Sequence, residues 1–397
     1  MKSGRHFLQI PGPTNTPDRV YRAMHRAVMD HRGPEFGEMT LGILNDLKAI
    51  FKTKNDVFIY PASGTGAWEA ALVNVLSAGD SVLMYETGQF ATLWKKMAEK
   101  LGLEPLFMQG DWRNGANAQA IAEQLKSDTG HSIKAVCVVH NDTSTGITSD
   151  IPAIRRAMDE VGHPALLMVD TISSLGSIDF RTDEWGVDVV VAGSQKGLML
   201  PPGLSFNAVS EKALAVAKSG GASRSYWDWH DMIGPNGSGF FPYTPATTLL
   251  YGLREAIDML LEEGLENVFA RHTRHGDATR IAVRAWELEI LCQDPALYSN
   301  ALTAVVMPDG KGADALRKTI LDGFDMSLGT GLNKIADRTF RIGHLGDFND
   351  LTLMGTLCGV EMGLQRAGVA HAKGGAQAAM DYLASTPLAG SVAQAAE

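Results

Sequence analysis

Two side chains with complementary chemistry follow two short apolar runs of the chain. Asp170 comes directly after the run 165–169, and Lys196 follows the run 187–192. Apolar runs this short, rich in β-branched residues, predict buried strands, and ligands bind at the carboxyl ends of strands in open parallel sheets. Burial lowers the pKa of a lysine, so its neutral amine can form a Schiff base with a carbonyl substrate or with pyridoxal phosphate. An aspartate nearby suits the protonated ring nitrogen of pyridoxal phosphate.

Four further features are compatible with a phosphorylated, planar ligand. The small residues at 61–66 lie between a predicted strand and a predicted helix, where free N–H groups can cradle a phosphate. This segment matches neither a P-loop nor the full dinucleotide fingerprint. Phe90 could stack on a ring or belong to the core, and Thr143 could contact a ring oxygen or only form a turn. Arg341 could hold a carboxylate or form a surface salt bridge.

Short apolar runs alternate with helical patterns through the first half of the chain. The runs 57–60, 81–84, 135–139 and 203–209 join the two named above, and helical patterns fall near 66–77, 90–101 and 150–161. This alternation predicts right-handed β-α-β units and a mostly parallel sheet.

The pattern changes after the last of these runs. Residues 219–244 are rich in glycine and aromatic residues, which suggests a lid or an interface. A long helical pattern over 245–271 leads to a region with predicted strands near 301–307 and 339–342 and helices near 312–322 and 349–367. We therefore expect an N-terminal arm (1–17), a large α/β domain (18–258) and a smaller C-terminal α+β domain (259–397).

Composition excludes several classes of protein. The 397 residues carry a formal net charge of -10 without a basic block, which argues against binding to nucleic acid or to an anionic membrane. Cys137, Cys292 and Cys358 form neither a disulfide framework nor a zinc pattern, so no metal is expected. The N-terminal residues lack the pattern of a signal peptide or a membrane helix. We expect a soluble cytoplasmic protein.

Eight stretches, taken in order, resemble the class V family of fold-type I pyridoxal-phosphate aminotransferases, in particular the alanine-glyoxylate and serine-glyoxylate enzymes. They are Pro11-Gly12-Pro13-Thr14-Asn15, Ser63-Gly64-Thr65, Thr143-Ser144-Thr145-Gly146, Asp170, Ser194-Gln195-Lys196, Pro201-Pro202-Gly203, Thr244-Pro245 and Arg341-Ile342-Gly343. The resemblance covers nearly the whole chain. It implies the fold of these transferases, with a mostly parallel seven-stranded sheet flanked by helices and a smaller C-terminal α+β domain.

The resemblance also implies a role for each matching residue. Lys196 would bind the aldehyde of pyridoxal 5'-phosphate and Asp170 would pair with its ring nitrogen. Phe90 would stack on the ring and Thr143 would contact its phenolic oxygen. The other implied cofactor contacts are Ser63, Gly64, Thr65, Ile172 and Gln195. Substrate would be held by Arg341 and Asn15. Thr244 would reach the phosphate site of a neighbouring subunit, which implies a homodimer with active sites at the interface.

The candidate amino donors differ only in the side chain: methyl in alanine, hydroxymethyl in serine and carboxymethyl in aspartate. Likeness over 226–244 and 251–255 favours the serine-glyoxylate enzymes, so we expect transfer from serine to glyoxylate, giving glycine and hydroxypyruvate. Alanine and aspartate remain alternatives, and aspartate would need a second cation such as His31, Arg32 or Arg224. Relatives often have a phosphate-binding tyrosine where this chain has Phe241, and Tyr243 could substitute for it.

Three rival functions fit the sequence less well. A cysteine desulfurase-like lyase typically has a histidine before the lysine and a cysteine on a mobile loop, whereas here Gln195 precedes the lysine and Cys358 lies in an apolar helical pattern. A binding protein without turnover would not need both Lys196 and Asp170. A nicotinamide dehydrogenase would require the glycine fingerprint and its acidic partner.

Overall fold

The computed structural model describes residues 4–387. Within this range the strands are β1 (Phe7–Gln9), β2 (Asp56–Tyr60), β3 (Ser81–Tyr85), β4 (Glu104–Met108), β5 (Ile133–Val139), β6 (Asn141–Asp142), β7 (Ile147–Thr148), β8 (Leu166–Asp170), β9 (Val189–Gly193), β10 (Ser205–Val209), β11 (Glu289–Ile290), β12 (Leu302–Val306), β13 (Met326–Thr330) and β14 (Thr339–Gly343). The α-helices are α1 (Asp18–Met24), α2 (Pro34–Phe51), α3 (Gly64–Val75), α4 (Gln89–Lys100), α5 (Ala118–Ser127), α6 (Ile151–Glu160), α7 (Glu211–Ser219), α8 (Trp229–Gly237), α9 (Thr247–Glu263), α10 (Leu265–Ala285), α11 (Ala313–Phe324), α12 (Asp350–Arg366) and α13 (Gly375–Ser385).

The large sheet has seven strands in the order β2-β10-β9-β8-β5-β3-β4. All neighbouring strands are parallel except β10, which runs antiparallel to both β2 and β9. Every residue of β8 and β9 is buried, as expected for strands covered on both faces. Alternate residues of these strands therefore enter two different cores: Val190 packs into one and Val189 and Val191 pack into the other. The predicted mostly parallel seven-stranded sheet is confirmed.

The smaller sheet joins the beginning of the chain to its C-terminal part. Its order is β1-β13-β14-β12-β11, and β1 pairs parallel to β13. A third core forms beneath this sheet from α10, α11, α12 and α13. This confirms a smaller C-terminal α+β unit and shows that the predicted arm contributes a strand to it. The boundaries at 17/18 and 258/259 stay predictions; α9 runs through the second one, and residues 388–397 of the predicted small domain lie outside the described residues.

Several elements differ from the sequence expectation. The helix expected over 245–271 is two helices, α9 and α10, separated at Gly264, whose φ of +81° is incompatible with a continuous helix. The segment 219–244 contains α8. Helix α2 and strand β13 were not predicted. No helix within 4–387 is long and apolar enough to cross a membrane.

Candidate active site

The order of the central strands brings the candidate site residues together at one end of the large sheet, where the central parallel strands have their carboxyl ends. Val139 at the end of β5 is in register with Asp170 at the end of β8, and Asp170 is in register with Val191 of β9. The residues that follow each of these three strands therefore lie at this end of the sheet. A cavity of about 270 Å³ lies there. Nine of the predicted site residues line it: Ser63, Gly64, Thr65, Phe90, Thr143, Asp170, Ile172, Gln195 and Lys196.

Lys196 is a buried amine that lines this cavity. Its side chain is only 7% exposed, and Nζ donates a hydrogen bond to the carbonyl of Pro11 at 2.5 Å. Burial lowers the pKa of Lys196 to about 7, and the positive charge of Arg341 acts in the same direction. The charges of Asp170 and Asp142 oppose this shift. A substantial fraction of the amine is therefore neutral near pH 7, which is the form that attacks a carbonyl.

The N-terminal arm fixes the backbone around Lys196. The Thr14 N–H donates to the carbonyl of Gln195 at 3.0 Å, and Thr14 Oγ1 donates to the carbonyl of Lys196 at 3.1 Å. Gly12 has a φ of +111°, and a Cβ built on it would be 2.4 Å from Lys196 Nζ. Only glycine allows the arm to pass this close to the lysine.

Asp170 is almost fully enclosed, with 3% exposure. Its Oδ1 accepts the backbone N–H of Ile172 at 2.7 Å, and its Oδ2 accepts the indole N–H of Trp68 at 3.0 Å. Burial raises the pKa of Asp170 to about 7, and these two hydrogen bonds oppose the rise. A buried carboxylate of this kind favours a cationic N–H partner, because that partner offsets the cost of its desolvation.

The beginning of α3 offers free donors to an anion. Ser63 is the N-cap residue, but its side chain makes no capping hydrogen bond. The first N–H groups of a helix have no partner within the helix and lie at the positive end of its dipole. A Cβ on Gly64 would be 2.3 Å from Ile172 Cδ1, so a larger residue here would require the Ile172 side chain to move. These features suit a phosphate.

Gln195 supplies a second indication that the cavity receives a polar ligand. Its Oε1 is buried and has no hydrogen-bond partner among residues 4–387. Buried amide groups are nearly always hydrogen-bonded, and the oxygen and nitrogen of this amide exchange places by rotation. Helix terminus, buried carboxylate, amine and unsatisfied amide together fit pyridoxal phosphate.

Arg341 lies close to the cavity without lining it. The guanidinium, on β14 of the small sheet, donates from Nη1 to the carbonyl of Thr143 at 2.6 Å and from Nε to the carbonyl of Thr330 at 2.8 Å. Its residue exposure is 7%, and within the described range no carboxylate lies at ion-pair distance. Burial lowers the pKa of Arg341 to about 10, while the charge of Asp142 opposes that shift. A buried guanidinium without an anionic partner is suited to bind a substrate carboxylate.

Two predicted site residues lie away from this cavity. Asn15 lines a different cavity, beside the arm, and its Nδ2 donates to the carbonyl of Leu8 at 3.0 Å. Thr244 is exposed. The neighbouring Tyr243 donates its hydroxyl to the carbonyl of Ile59 at 2.5 Å, and Phe241 packs against it and Phe36. The predicted roles of Asn15 and Thr244 stay predictions.

The cavity also contains residues to which the sequence reasoning gave no role. They are Gly12, Pro13, Trp68, Asn141, Ser173 and Pro202. One of them had a detectable signal, because Trp68 lies four residues after Gly64 and therefore on the same face of α3. Gly12 and Pro13 belong to a motif used for the family resemblance, yet only the fold shows that they line the same cavity as the lysine.

Comparisons with known proteins agree with this geometry. Residues 6–333 match the family described as Aminotransferase class-V. The chain is 48% identical over 395 residues to the serine–glyoxylate aminotransferase of Methylorubrum extorquens, covering 98% of each chain. It is 42% identical to the L-aspartate–glyoxylate aminotransferase of Paracoccus denitrificans, covering 96% of each chain.

A solved structure extends the agreement to the fold. The pyridoxamine–pyruvate aminotransferase of Mesorhizobium loti superposes with a TM-score of 0.90 at 28% identity, over 96% of this chain and 98% of that one. The predicted family and cofactor are therefore confirmed. The chain belongs to the class-V aminotransferases, which use pyridoxal phosphate.

Proposed function

We propose that this aminotransferase moves the amino group of L-serine to glyoxylate, giving hydroxypyruvate and glycine by a ping-pong reaction. The observation that carries the choice of donor is the near full-length identity of 48% to a serine–glyoxylate aminotransferase. The cavity supports the reaction class, since it combines a buried amine with a buried carboxylate beside an unpaired guanidinium.

In the proposed mechanism the chain's residues divide three tasks. Pyridoxal phosphate, when bound, supplies an aldehyde and a ring that accepts electron density. Lys196 would hold the aldehyde of the cofactor and, as a free amine, would serve as the base that moves the proton of the substrate Cα. Asp170 keeps a proton on the ring nitrogen. Arg341 binds the carboxylate shared by serine and glyoxylate, which orients Cα toward Lys196.

The remaining residues are proposed to bind the cofactor and the substrate and to enclose them. Ser63, Gly64, Thr65 and Gln195 would hold the phosphate, and Thr143 the phenolic oxygen. Phe90 would stack on the ring, Ile172 would contact the cofactor, and Asn15 would help to bind the substrate. The side chain of Arg341 already donates to the carbonyl of Thr143, so substrate and cofactor contacts are directly connected.

Aspartate is the second candidate donor, because an L-aspartate–glyoxylate aminotransferase is 42% identical over most of the chain. A second substrate carboxylate needs a second cation. Arg224 instead pairs with Asp228 at 3.1 Å and donates to backbone carbonyls. His31 and Arg32 do not line the cavity of their own chain. Within a single chain, these positions offer aspartate no second cation.

A desulfurase-like lyase is disfavoured by the position of its candidate nucleophile. Cys358 lies on α12 as predicted, but its side chain is exposed rather than packed in an apolar helix face. It does not line the cavity. No cysteine of residues 4–387 lines the cavity, so none is placed there to attack the sulfur of a bound substrate.

We also propose that the protein is a cytoplasmic homodimer in which Thr244 completes the phosphate site of the neighbouring subunit. The exposure of Thr244 and its absence from the cavity of its own chain support this arrangement. The apolar side chains of Leu41, Tyr226 and Ile233 are exposed by 44%, 45% and 38%, as expected for an interface.

An absorbance experiment tests the donor. L-serine, L-alanine and L-aspartate are added separately to the cofactor-loaded protein, each with and without glyoxylate. We expect the band of the bound cofactor to disappear fastest with serine and to return with glyoxylate, with hydroxypyruvate and glycine as products. Faster conversion with aspartate or alanine would identify that amino acid as the donor in place of serine, and an unchanged band with all three would reject all three as donors.

A further inference from the structure

The indole of Trp68 contacts the most important acid of the site. Trp68 is 3% exposed, and its Nε1 donates to Asp170 Oδ2 at 3.0 Å. Trp68 belongs to the second turn of α3, whose first residues were assigned to the phosphate above. The same helix therefore contributes to both polar ends of the cavity.

Aromatic packing fixes the direction of this N–H group. The Trp68 ring stacks on Trp94 with centroids 5.9 Å apart and an interplanar angle of 14°. It also meets Phe90 at 6.5 Å and 57°. Trp94 and Phe90 are four residues apart on α4, so they form one aromatic wall against which the indole cannot rotate freely.

We propose that Trp68 is a positioning residue, which holds the Asp170 carboxylate in place so that it binds the ring N–H of the cofactor. This inference rests on the function proposed above. The Ile172 N–H occupies Oδ1 and the Trp68 N–H occupies Oδ2, so both carboxylate oxygens are fixed by donors of known direction. Each oxygen keeps a second lone pair for a ligand.

A purely structural role is the alternative. Other buried tryptophans also donate to carboxylates: Trp112 to Glu86 at 2.9 Å and Trp286 to Glu361 at 3.0 Å. Trp68 differs from these two because both it and its acceptor line the cavity. Its hydrogen bond is charge-assisted, and it favours the ionised form of Asp170 in a place where burial disfavours that form.

The charged groups facing Asp170 come from three other elements. Lys196 follows β9, and Asp142 is at the end of β6. Arg341 on β14 acts on both of them. None of these groups changes when the indole N–H is removed, so the effect of that removal on Asp170 can be measured separately.

The test compares Trp68→Phe with Trp94→Phe in the full chain. Both variants remove one indole from the same stack, but Trp94 Nε1 has no hydrogen-bond partner in the described part of the chain, so W94F is the matched control. In the cofactor-free protein, Asp170 is titrated by ¹³C NMR of labelled aspartate and assigned with Asp170→Asn. We expect W68F to raise its titration midpoint by about one pH unit, a tenfold change in proton affinity. W94F should leave the midpoint unchanged, because the phenyl ring at position 94 still stacks on the indole and the Trp68 N–H is kept.

A second measurement asks whether the effect reaches the ring nitrogen. Each variant is loaded with pyridoxal phosphate or with its analogue that has carbon in place of the ring nitrogen, and conversion by serine is followed. W68F should slow conversion on the order of tenfold with the natural cofactor and have no effect with the analogue. Equal losses with the two cofactors, or equal midpoint shifts in W68F and W94F, would reduce Trp68 to a packing residue.

Two controls keep this test decisive. If W68F does not fold, benzothienylalanine at position 68 keeps the shape of the indole and replaces its N–H by sulfur, with the same expected shifts. If the unsubstituted protein neither binds pyridoxal phosphate nor converts serine, the proposed function fails, whereas the titration still reports whether Trp68 controls Asp170. Failure of the inference alone requires an active protein in which W68F and W94F behave alike.

Discussion

At the scale of single residues, the site depends on charges that burial has made costly. Lys196, Asp170 and Arg341 are each 7% exposed or less, and each has its pKa shifted toward the neutral form mainly by desolvation. The three groups also act on one another, since the arginine lowers the lysine pKa and the aspartate raises it. Ligands that bring a cationic ring N–H and a carboxylate would relieve this cost, which explains how the chain can keep such groups buried.

The Asp170 carboxyl gives a pH-dependent contribution to stability. Its pKa is about 7 in the folded protein and about 4 in an unfolded chain. The folded state therefore binds the proton more tightly, so the contribution of Asp170 is most favourable below pH 4 and is lost as pH rises to 7. Between pH 5 and 8, the free energy of unfolding of the cofactor-free protein should fall by about 3 kcal/mol relative to that of its Asp170→Asn variant, as measured by urea unfolding.

Comparison with a variant is needed because other groups titrate in this window. Burial lowers the pKa of His140 and of His344 to about 3, which makes stability rise with pH instead. The contributions of these two histidines are common to both proteins and cancel in the difference. Lys196, whose pKa depends on the charge of Asp170, is replaced by Ala in both proteins. Replacing the exposed Asp309 by Asn is the matched control and should leave the difference near zero at both pH values. A difference between the D170N variant and its parent that does not vary with pH would show that Asp170 is ionised throughout.

At the scale of elements, the central strands could be predicted from the sequence and the peripheral elements could not. Strands β5, β8 and β9 are apolar runs buried on both faces, so composition and length identify them. Strand β13 depends on pairing with β1, more than three hundred residues earlier in the chain, and the short pattern Met326–Thr330 carries no comparable local signal. The break at Gly264 was visible as a glycine, but a single glycine inside a helical pattern is often tolerated.

The same reasoning explains which site residues were found. Residues at strand ends follow from the parallel topology, and they do line the cavity. The roles of Pro11 and Gly12 depend on how the arm passes the carboxyl ends of the central strands beside Lys196. No local sequence pattern predicts that path. Arg341 lies beside the cavity, bonded to the Thr143 and Thr330 carbonyls, and its contact with the substrate carboxylate stays a prediction.

The arm provides the prediction at this scale. Replacing Gly12 by Ala would place a Cβ 2.4 Å from Lys196 Nζ at a φ that disfavours alanine. Either the arm or the lysine must move, and the hydrogen bond from Nζ to the Pro11 carbonyl is lost. We expect G12A to reduce the rate of conversion by serine on the order of a hundredfold, since small misplacements of a reacting group have effects of this size.

The control for this variant is an alanine substitution at a glycine where an added Cβ would contact no other residue. A Cβ on Gly130 would meet no atom within 4 Å, so G130A should keep full activity. Both variants are to be compared by conversion rate and by unfolding midpoint, because a loss of activity in G12A that parallels a general loss of stability would not support a specific role for the arm. Wild-type activity in G12A would show that the arm adjusts freely.

At the scale of the whole molecule, the proposed dimer determines which chain completes each site. Thr244 is exposed and lies beside Tyr243, which stacks on the exposed Tyr226 with centroids 4.8 Å apart. This aromatic surface is suited to contact a second copy. Replacing Thr244 by Val should weaken cofactor binding about tenfold, the expected effect of losing one hydrogen bond to a charged group.

Heterodimers of two different variants can show whether Thr244 contributes to the site of its own chain or to the site of the neighbouring subunit. A dimer of one Lys196→Ala subunit and one Thr244→Val subunit would contain one site with an intact lysine and an intact threonine if Thr244 acts across the interface. Differently tagged subunits, coexpressed and purified as the heterodimer, should then bind cofactor with wild-type affinity at that site and show about half the activity of a wild-type dimer.

The matched control carries both substitutions on one subunit, opposite a wild-type subunit. Its only intact lysine faces the altered Thr244, so its cofactor affinity should fall tenfold. The reverse result, with the control wild-type in affinity and the first heterodimer impaired, would place Thr244 in the site of its own chain, and equal affinities in the two heterodimers would remove it from the phosphate site altogether.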